Sequence, residues 1–143
     1  MAGEIILGYD GMEGAHEALR VAVSIAAAFK RTLVIVFGYA PAPIGGEVAD
    51  LARAVEDVGE RLTGEATALA RELDASVTTQ VELVNDRPAD ALLRAADQYE
   101  ALAIVVGAAE RGPVSGGLLG SVTYQVVHRS TRPVVVVPLP GES

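Results

Sequence analysis

The sequence predicts an α/β fold: an open, five-stranded, mostly parallel sheet with helices on both faces. Three observations carry that expectation. Short runs of Val, Ile and Leu alternate along the chain with longer stretches whose apolar residues recur at helical spacing, the pattern of repeated βα units. Half of the 143 residues are hydrophobic, yet only 4% are aromatic and none is tryptophan, so the core must be built from small aliphatic side chains. No linker-like stretch and no internal repeat divides the sequence, so residues 1–143 are expected to form one domain.

The elements follow in order. Glu4–Tyr9 ("EIILGY") is an apolar run closed by Asp10-Gly11, a strand and its turn. Gly14–Phe29 places Ala15, Leu19, Ala22, Val23 and Ala26 on one helical face. Thr32–Phe37 is rich in β-branched residues with little alternation, as in a strand covered on both sides. "GYAPAPIGG", residues 38–46, is a loop by its glycines and prolines.

Glu47–Leu73 repeats Val48, Leu51, Val55, Val58, Leu62, Leu69 and Leu73 as a long amphipathic helix, weakened locally by Gly59 and Gly64. Ser76–Val84 is a third strand whose stronger alternation suits a sheet edge. Ala89–Tyr99 is a helix entered through Pro88, a residue that fits a first helical turn. Leu102–Val106 is the fourth strand. Leu118–His128 is the last helix, with Leu119, Val122 and Val126 inward. Val134–Val137, bracketed by Pro133 and Pro138, is a short fifth strand at an edge.

Composition excludes several functions. With 19 acidic and 11 basic residues the net charge is −8, and no basic run supplies the lysines and arginines that nucleic-acid backbones or anionic membranes require. Cysteine is absent, which removes disulfides, thiol chemistry and thiolate metal sites. His16 and His128 lie far apart and match no metal-ligand spacing. Ser115 and Ser121 have no recognisable base, and no water-positioning base accompanies Asp10 or Glu110, so catalysis is not expected. The opening "MAGEIILGYD" carries no basic segment before its apolar run, and no stretch reaches the ~20 apolar residues of a membrane span. A cytoplasmic protein is expected.

In an open parallel sheet, ligands bind beyond the carboxyl ends of the strands where strand order reverses. Two strand ends differ from the rest. The first finishes in Tyr9-Asp10-Gly11, and the fourth in Gly107 and the glycine loop of "VVGAAERGPVSGGLLGSVTYQ", residues 105–125. Were these strands neighbours, Asp10 would face the loop across one crevice, positioned to accept hydrogen bonds from ribose hydroxyls or an adenine amine. Gly107 and Gly120 allow close backbone approach to an anion, and Gly120-Ser121 opens a helix whose free N–H groups favour negative charge. The hydroxyls of Ser121 and Thr123 add donors. On the residues alone Ser121 is equally a helix cap, and Gly112, Gly116 and Gly117 equally a plain loop.

These segments together resemble the universal stress protein family. The likeness runs through "YDG", "LVIVFGY", "NDRPADALLRAA" and "AIVVGAAERGPVSGGLLGSVTYQVVHRSTRPVVVVP", essentially the whole chain. It implies a Rossmann-like domain with ATP, accompanied by Mg²⁺, in the crevice between the first and fourth strands. Asp10 would lie near adenine and ribose, Val106 and the Gly38 backbone around base and sugar, and Gly107, Gly120, Ser121, Val122 and Thr123 about the phosphates. It also implies a homodimer paired through Val134–Val137, with stress-response signalling as the output.

The nucleotide-binding branch of the family has glycine, two residues, glycine, nine residues, then glycine with serine or threonine. Gly107, Gly120 and Ser121 match, whereas Glu110 replaces the middle glycine. A carboxylate ~5 Å from a phosphate charge opposes it by roughly 3 kcal/mol at an effective dielectric of about 20. Gly38 stands where relatives often carry valine, Met12 and Ala15 where serines are common, Asp86 for a glycine and Leu102 for an aspartate. Two functions are therefore expected as alternatives: a nucleotide-responsive regulator, or a nucleotide-independent stress protein acting through its dimer and protein contacts.

Overall fold

A computed structural model of the chain describes residues 3–11, 13–39, 48–108 and 119–139. Strands and helices alternate as β1 (Ile5–Gly8), α1 (Glu13–Phe29), β2 (Leu33–Gly38), α2 (Val48–Leu73), β3 (Thr79–Val84), α3 (Pro88–Gln98), β4 (Ala103–Gly107), α4 (Ser121–Arg129) and β5 (Val134–Val137). The strands form one parallel sheet in the order β3-β2-β1-β4-β5. The first two crossovers step to one side of β1 and the third carries the chain back across it, so strand order reverses between β1 and β4.

Each central strand is buried on both faces, and its residues divide by parity. Ile5, Leu7, Leu33, Ile35, Ala103 and Val105 pack beneath α1 and α2, with Ala18, Leu19, Ala22, Ala66 and Ala70 as the helical partners. Ile6, Val34, Val36, Ile104 and Val106 pack beneath α3 and α4, against Ala91, Leu92, Ala95 and Val126. Alanine stripes let the helices lie close to the sheet, which is how a core with so few aromatic residues closes. Ion pairs brace the second face: Arg129 of α4 reaches Asp90 of α3 at 2.8 Å, and Arg94 reaches Asp86 at 2.9 Å.

β3 and β5 occupy the two edges, as alternation and flanking prolines predict. Two boundaries differ from expectation. β3 starts at Thr79 rather than Ser76, because Asp74 Oδ1 accepts from the Ser76 amide at 2.9 Å and its hydroxyl at 2.6 Å, closing a turn that strand pairing would break. α4 starts at Ser121 rather than Leu118, since Gly120 is extended (φ −61°, ψ 156°) and serves as the cap. Leu119 therefore precedes the helix and is 42% exposed instead of inward, while Val126 is fully buried.

Candidate functional site

Strand register builds the site. Leu7 pairs with Val105 and Gly8 with Val36, so β1 has β4 on one side and β2 on the other. Extending both registers to the carboxyl edge sets Asp10 level with Gly38 and Ala108. The acidic turn and the start of the glycine loop therefore flank one crevice, at the reversal where such sheets take ligands.

The β4 wall is held by main-chain contacts. The Ala108 amide donates to Val137 O at 2.8 Å, and the Gly120 amide donates to Ala108 O at 3.0 Å, bringing the two ends of the loop together. Thr123 Oγ1 donates to Gly107 O at 2.6 Å and is almost fully buried. Its hydroxyl thus positions the strand end, and the exposed hydroxyl of the first turn is that of Ser121. Gly107 is required here by space, since a Cβ would lie 2.9 Å from Gly14 O and 3.0 Å from Gly14 C, at the start of α1.

The first turn of α4 contains no acidic residue. Its amides at Ser121, Val122 and Thr123 have no intrahelical acceptor, so that end of the helix carries the positive pole of the dipole, with no acidic residue in the turn itself. Across the crevice Asp10 is exposed and follows Tyr9, whose ring is buried and meets His16 edge-on at 5.7 Å. Burial first, then the charges of Glu65 and Asp10, push the Tyr9 phenol above its ordinary pKa, so it stays neutral in the physiological range.

The remaining predicted residues are placed less directly. Val106 points its side chain into the α3/α4 core, leaving only its backbone at the crevice. At Gly38 a Cβ would fall 2.8 Å from Pro88 Cα and 2.9 Å from Ala91 Cβ. The entry to α3 fills the space a valine would need, so this departure from the family pattern matches a close helix approach. Met12, Glu110, Arg111, Ser115 and the loop 40–47 lie outside the described residues.

Sequence reasoning did not single out Gly14 or Pro88 as parts of this site. The signal was present only in part: "GMEG" and "NDRP" are visible as strings, but which strand end each touches follows from the strand order. Among the described residues no three His, Cys, Asp or Glu side chains cluster as a metal site would require, and no helix is long and apolar enough to cross a membrane.

A parallel sheet that reverses at β1/β4, with paired helices on each face, defines the doubly wound, Rossmann-like class of α/β domain. Within that class, the chain belongs to the universal stress protein family, whose model matches residues 1–138. It is 34% identical over 137 residues to a universal stress protein of Thermus aquaticus, covering 93% of this chain and 96% of the relative. Among solved structures, a universal stress protein in complex with cAMP is 27% identical with a TM-score of 0.76, covering 96% of this chain and 98% of that one. A universal stress protein from Archaeoglobus fulgidus, 24% identical, superposes with a TM-score of 0.78 over 95% of this chain and 98% of its own. Domains of this family are characteristically regulatory and non-catalytic.

Proposed function

We propose that this chain is a cytoplasmic stress-response regulator, acting as one domain, whose state is set by an adenine nucleotide in the β1/β4 crevice. One observation carries the reading: the first turn of α4, which has no acidic residue of its own, is tied to Gly107 through Thr123, on the strand next to the one that ends in the Asp10 turn. A phosphate group suits the first and ribose or an adenine amine suits the second. The backbone amides at Ser121–Thr123 and the Ser121 hydroxyl would hold the phosphates, Thr123 would hold Gly107 in place, and the backbone at Gly38 and Val106 would border the base and sugar. The cAMP complex of the relative with 27% identity supports a small adenine nucleotide as ligand class, with ATP and Mg²⁺ the form that the loop pattern suggests.

A second reading is favoured by β5. It is an edge strand whose Val134, Val135 and Val136 are only half-buried, so pairing with the same strand of a second copy would cover them and saturate its backbone groups. A homodimer of this kind can signal through its surface without a nucleotide.

Calorimetry on nucleotide-stripped protein separates the two. ATP with Mg²⁺, and cAMP in parallel, should release binding heat. Glu110→Gly should tighten ATP by up to about a hundredfold if a full charge opposition is relieved. If neither the parent nor the variant binds either nucleotide while sedimentation shows a dimer, the nucleotide-independent reading replaces the first.

A further inference from the structure

At the carboxyl edge of the sheet, α2 leaves its support. A Cβ on Gly59 would lie 2.6 Å from Phe37 Cδ2 and 3.2 Å from Leu83 Cδ2, so Gly59 is pressed against residues one short of the ends of β2 and β3. As the crossover from β2 to β3 the helix runs antiparallel to the strands, so the residues before Gly59 lead toward and past their carboxyl ends. At ~1.5 Å of rise per residue, residues 48–58 make up roughly 16 Å of helix at this end of the sheet.

The two halves of α2 are anchored differently. In the second half Ala66 and Ala70 are buried against the sheet and α1. In the first half Leu51 and Val58 are 53% and 40% exposed, and with half-buried Val55 they form an apolar stripe at helical spacing. Between the halves lie two glycines and a back-bonded threonine. Thr63 Oγ1 donates to Gly59 O at 2.8 Å, an arrangement that bends and loosens a helix. Each glycine further disfavours the helix by about fivefold relative to alanine.

The loosened segment touches the crevice twice. Leu62 reaches the turn after β1, where a Cβ on Gly11 (φ +79°) would be 2.6 Å from Leu62 Cδ2. Phe37, under Gly59, stacks with Tyr39 at 6.3 Å, and burial followed by the neighbouring Glu56 carboxylate pushes the Tyr39 phenol above its ordinary pKa.

We propose that residues 48–58 are a hinged arm pivoting at Gly59–Gly64, coupled through Leu62 and Phe37 to the Asp10–Gly11 turn and the end of β2, so that occupancy of the crevice changes the exposure of the Leu51–Val55–Val58 stripe. The inference rests on the reading of the crevice as a nucleotide site. It supplies an output for that site: an apolar helical face presented in one state and withdrawn in the other.

Hydrogen exchange on the whole chain tests it, comparing the parent with Gly64→Ala. The added methyl meets no atom within 4 Å, so this variant stiffens the pivot without disturbing packing. Amides 52–58 should exchange faster than amides 65–73 in the parent and about fivefold slower in the variant, with the Gly11 amide slowing alongside them. Equal protection of both halves in the parent, or slowing of the arm with the Gly11 amide unmoved, overturns the proposal. ATP with Mg²⁺, and cAMP, added to the parent should alter exchange in 52–58, and binding heat without such a change overturns it as well. Absence of binding heat counts against the nucleotide reading instead, and the Gly64→Ala comparison then decides the hinge alone.

Discussion

On the β4 side of the crevice, a side chain introduced at Gly107 would meet the main chain of Gly14; on the β1 side, one introduced at Gly11 would first meet the side chain of Leu62. The first wall is fixed by backbone on backbone, reinforced by the Thr123 bond to Gly107 O and the Gly120 bond to Ala108 O. The second rests on a leucine that can change rotamer and on a helix weakened at two glycines. The carboxyl edge at the strand reversal thus joins a fixed wall to an adjustable one. Under the proposed nucleotide reading, the rigid side would set affinity and the yielding side would register that something is bound.

Substitutions at the two glycines should break this contrast if it is wrong. Gly107→Ala should have the largest effect, about 2–3 kcal/mol of lost stability, because the contacted atoms are backbone and cannot be trimmed away. Chemical denaturation measures it, and a loss below ~0.5 kcal/mol would mean that the wall gives. Gly11→Ala should cost less, about 1–2 kcal/mol, from its positive φ and the crowded Leu62. Here a double-mutant cycle with Leu62→Ala sharpens the comparison. Part of the Gly11→Ala penalty should vanish in the double variant, whereas strictly additive losses would show that Leu62 does not bear on the turn.

The smallest effect at neutral pH lies away from both walls. Tyr99, just past α3, donates a hydrogen bond to Glu82 of β3, and this bond, followed by burial and the charges of Glu82 and Glu4, pushes its phenol from 10 up to about 12. The folded state therefore holds this proton more tightly than the unfolded state does. The associated stability is present in full below pH 10 and is lost as pH rises through about 12. Tyr99→Phe should flatten that alkaline decline while leaving ligand binding at pH 7 unchanged. An unchanged slope between pH 10 and 12 would refute the assignment.

Much of this was legible in the sequence. Every strand and helix was expected in its place, because uninterrupted Val/Ile/Leu runs and alanine-rich helical spacing are strong local signals. The family pattern placed Gly107, Gly120 and Ser121 on one loop. The ends of elements were less legible where side chains compete with backbone pairing, as Asp74 does at β3 and as Gly120 does by capping α4. The least legible features were contacts between distant segments. That Thr123 spends its hydroxyl on Gly107, that Pro88 lies against Gly38 and that Leu62 fills the space at Gly11 all depend on which strands are neighbours. A leucine eleven residues beyond Leu51 reads in the sequence as one more core position.

The pairing of β1 with β4 has a consequence for how the protein is made. Ile5 is matched to Ala103, so one side of the central strand stays bare on the ribosome until the fourth strand has emerged. β2 and β3 can join β1 well before that, giving a three-stranded intermediate with an apolar, unpaired edge on the wrong side. The crevice does not exist in such an intermediate, because Gly107 and α4 are its other wall. Under the proposed nucleotide reading, binding competence would therefore arrive late in synthesis, and a chain cut short of β4 would keep the Asp10 turn without the wall that Gly107 and α4 build.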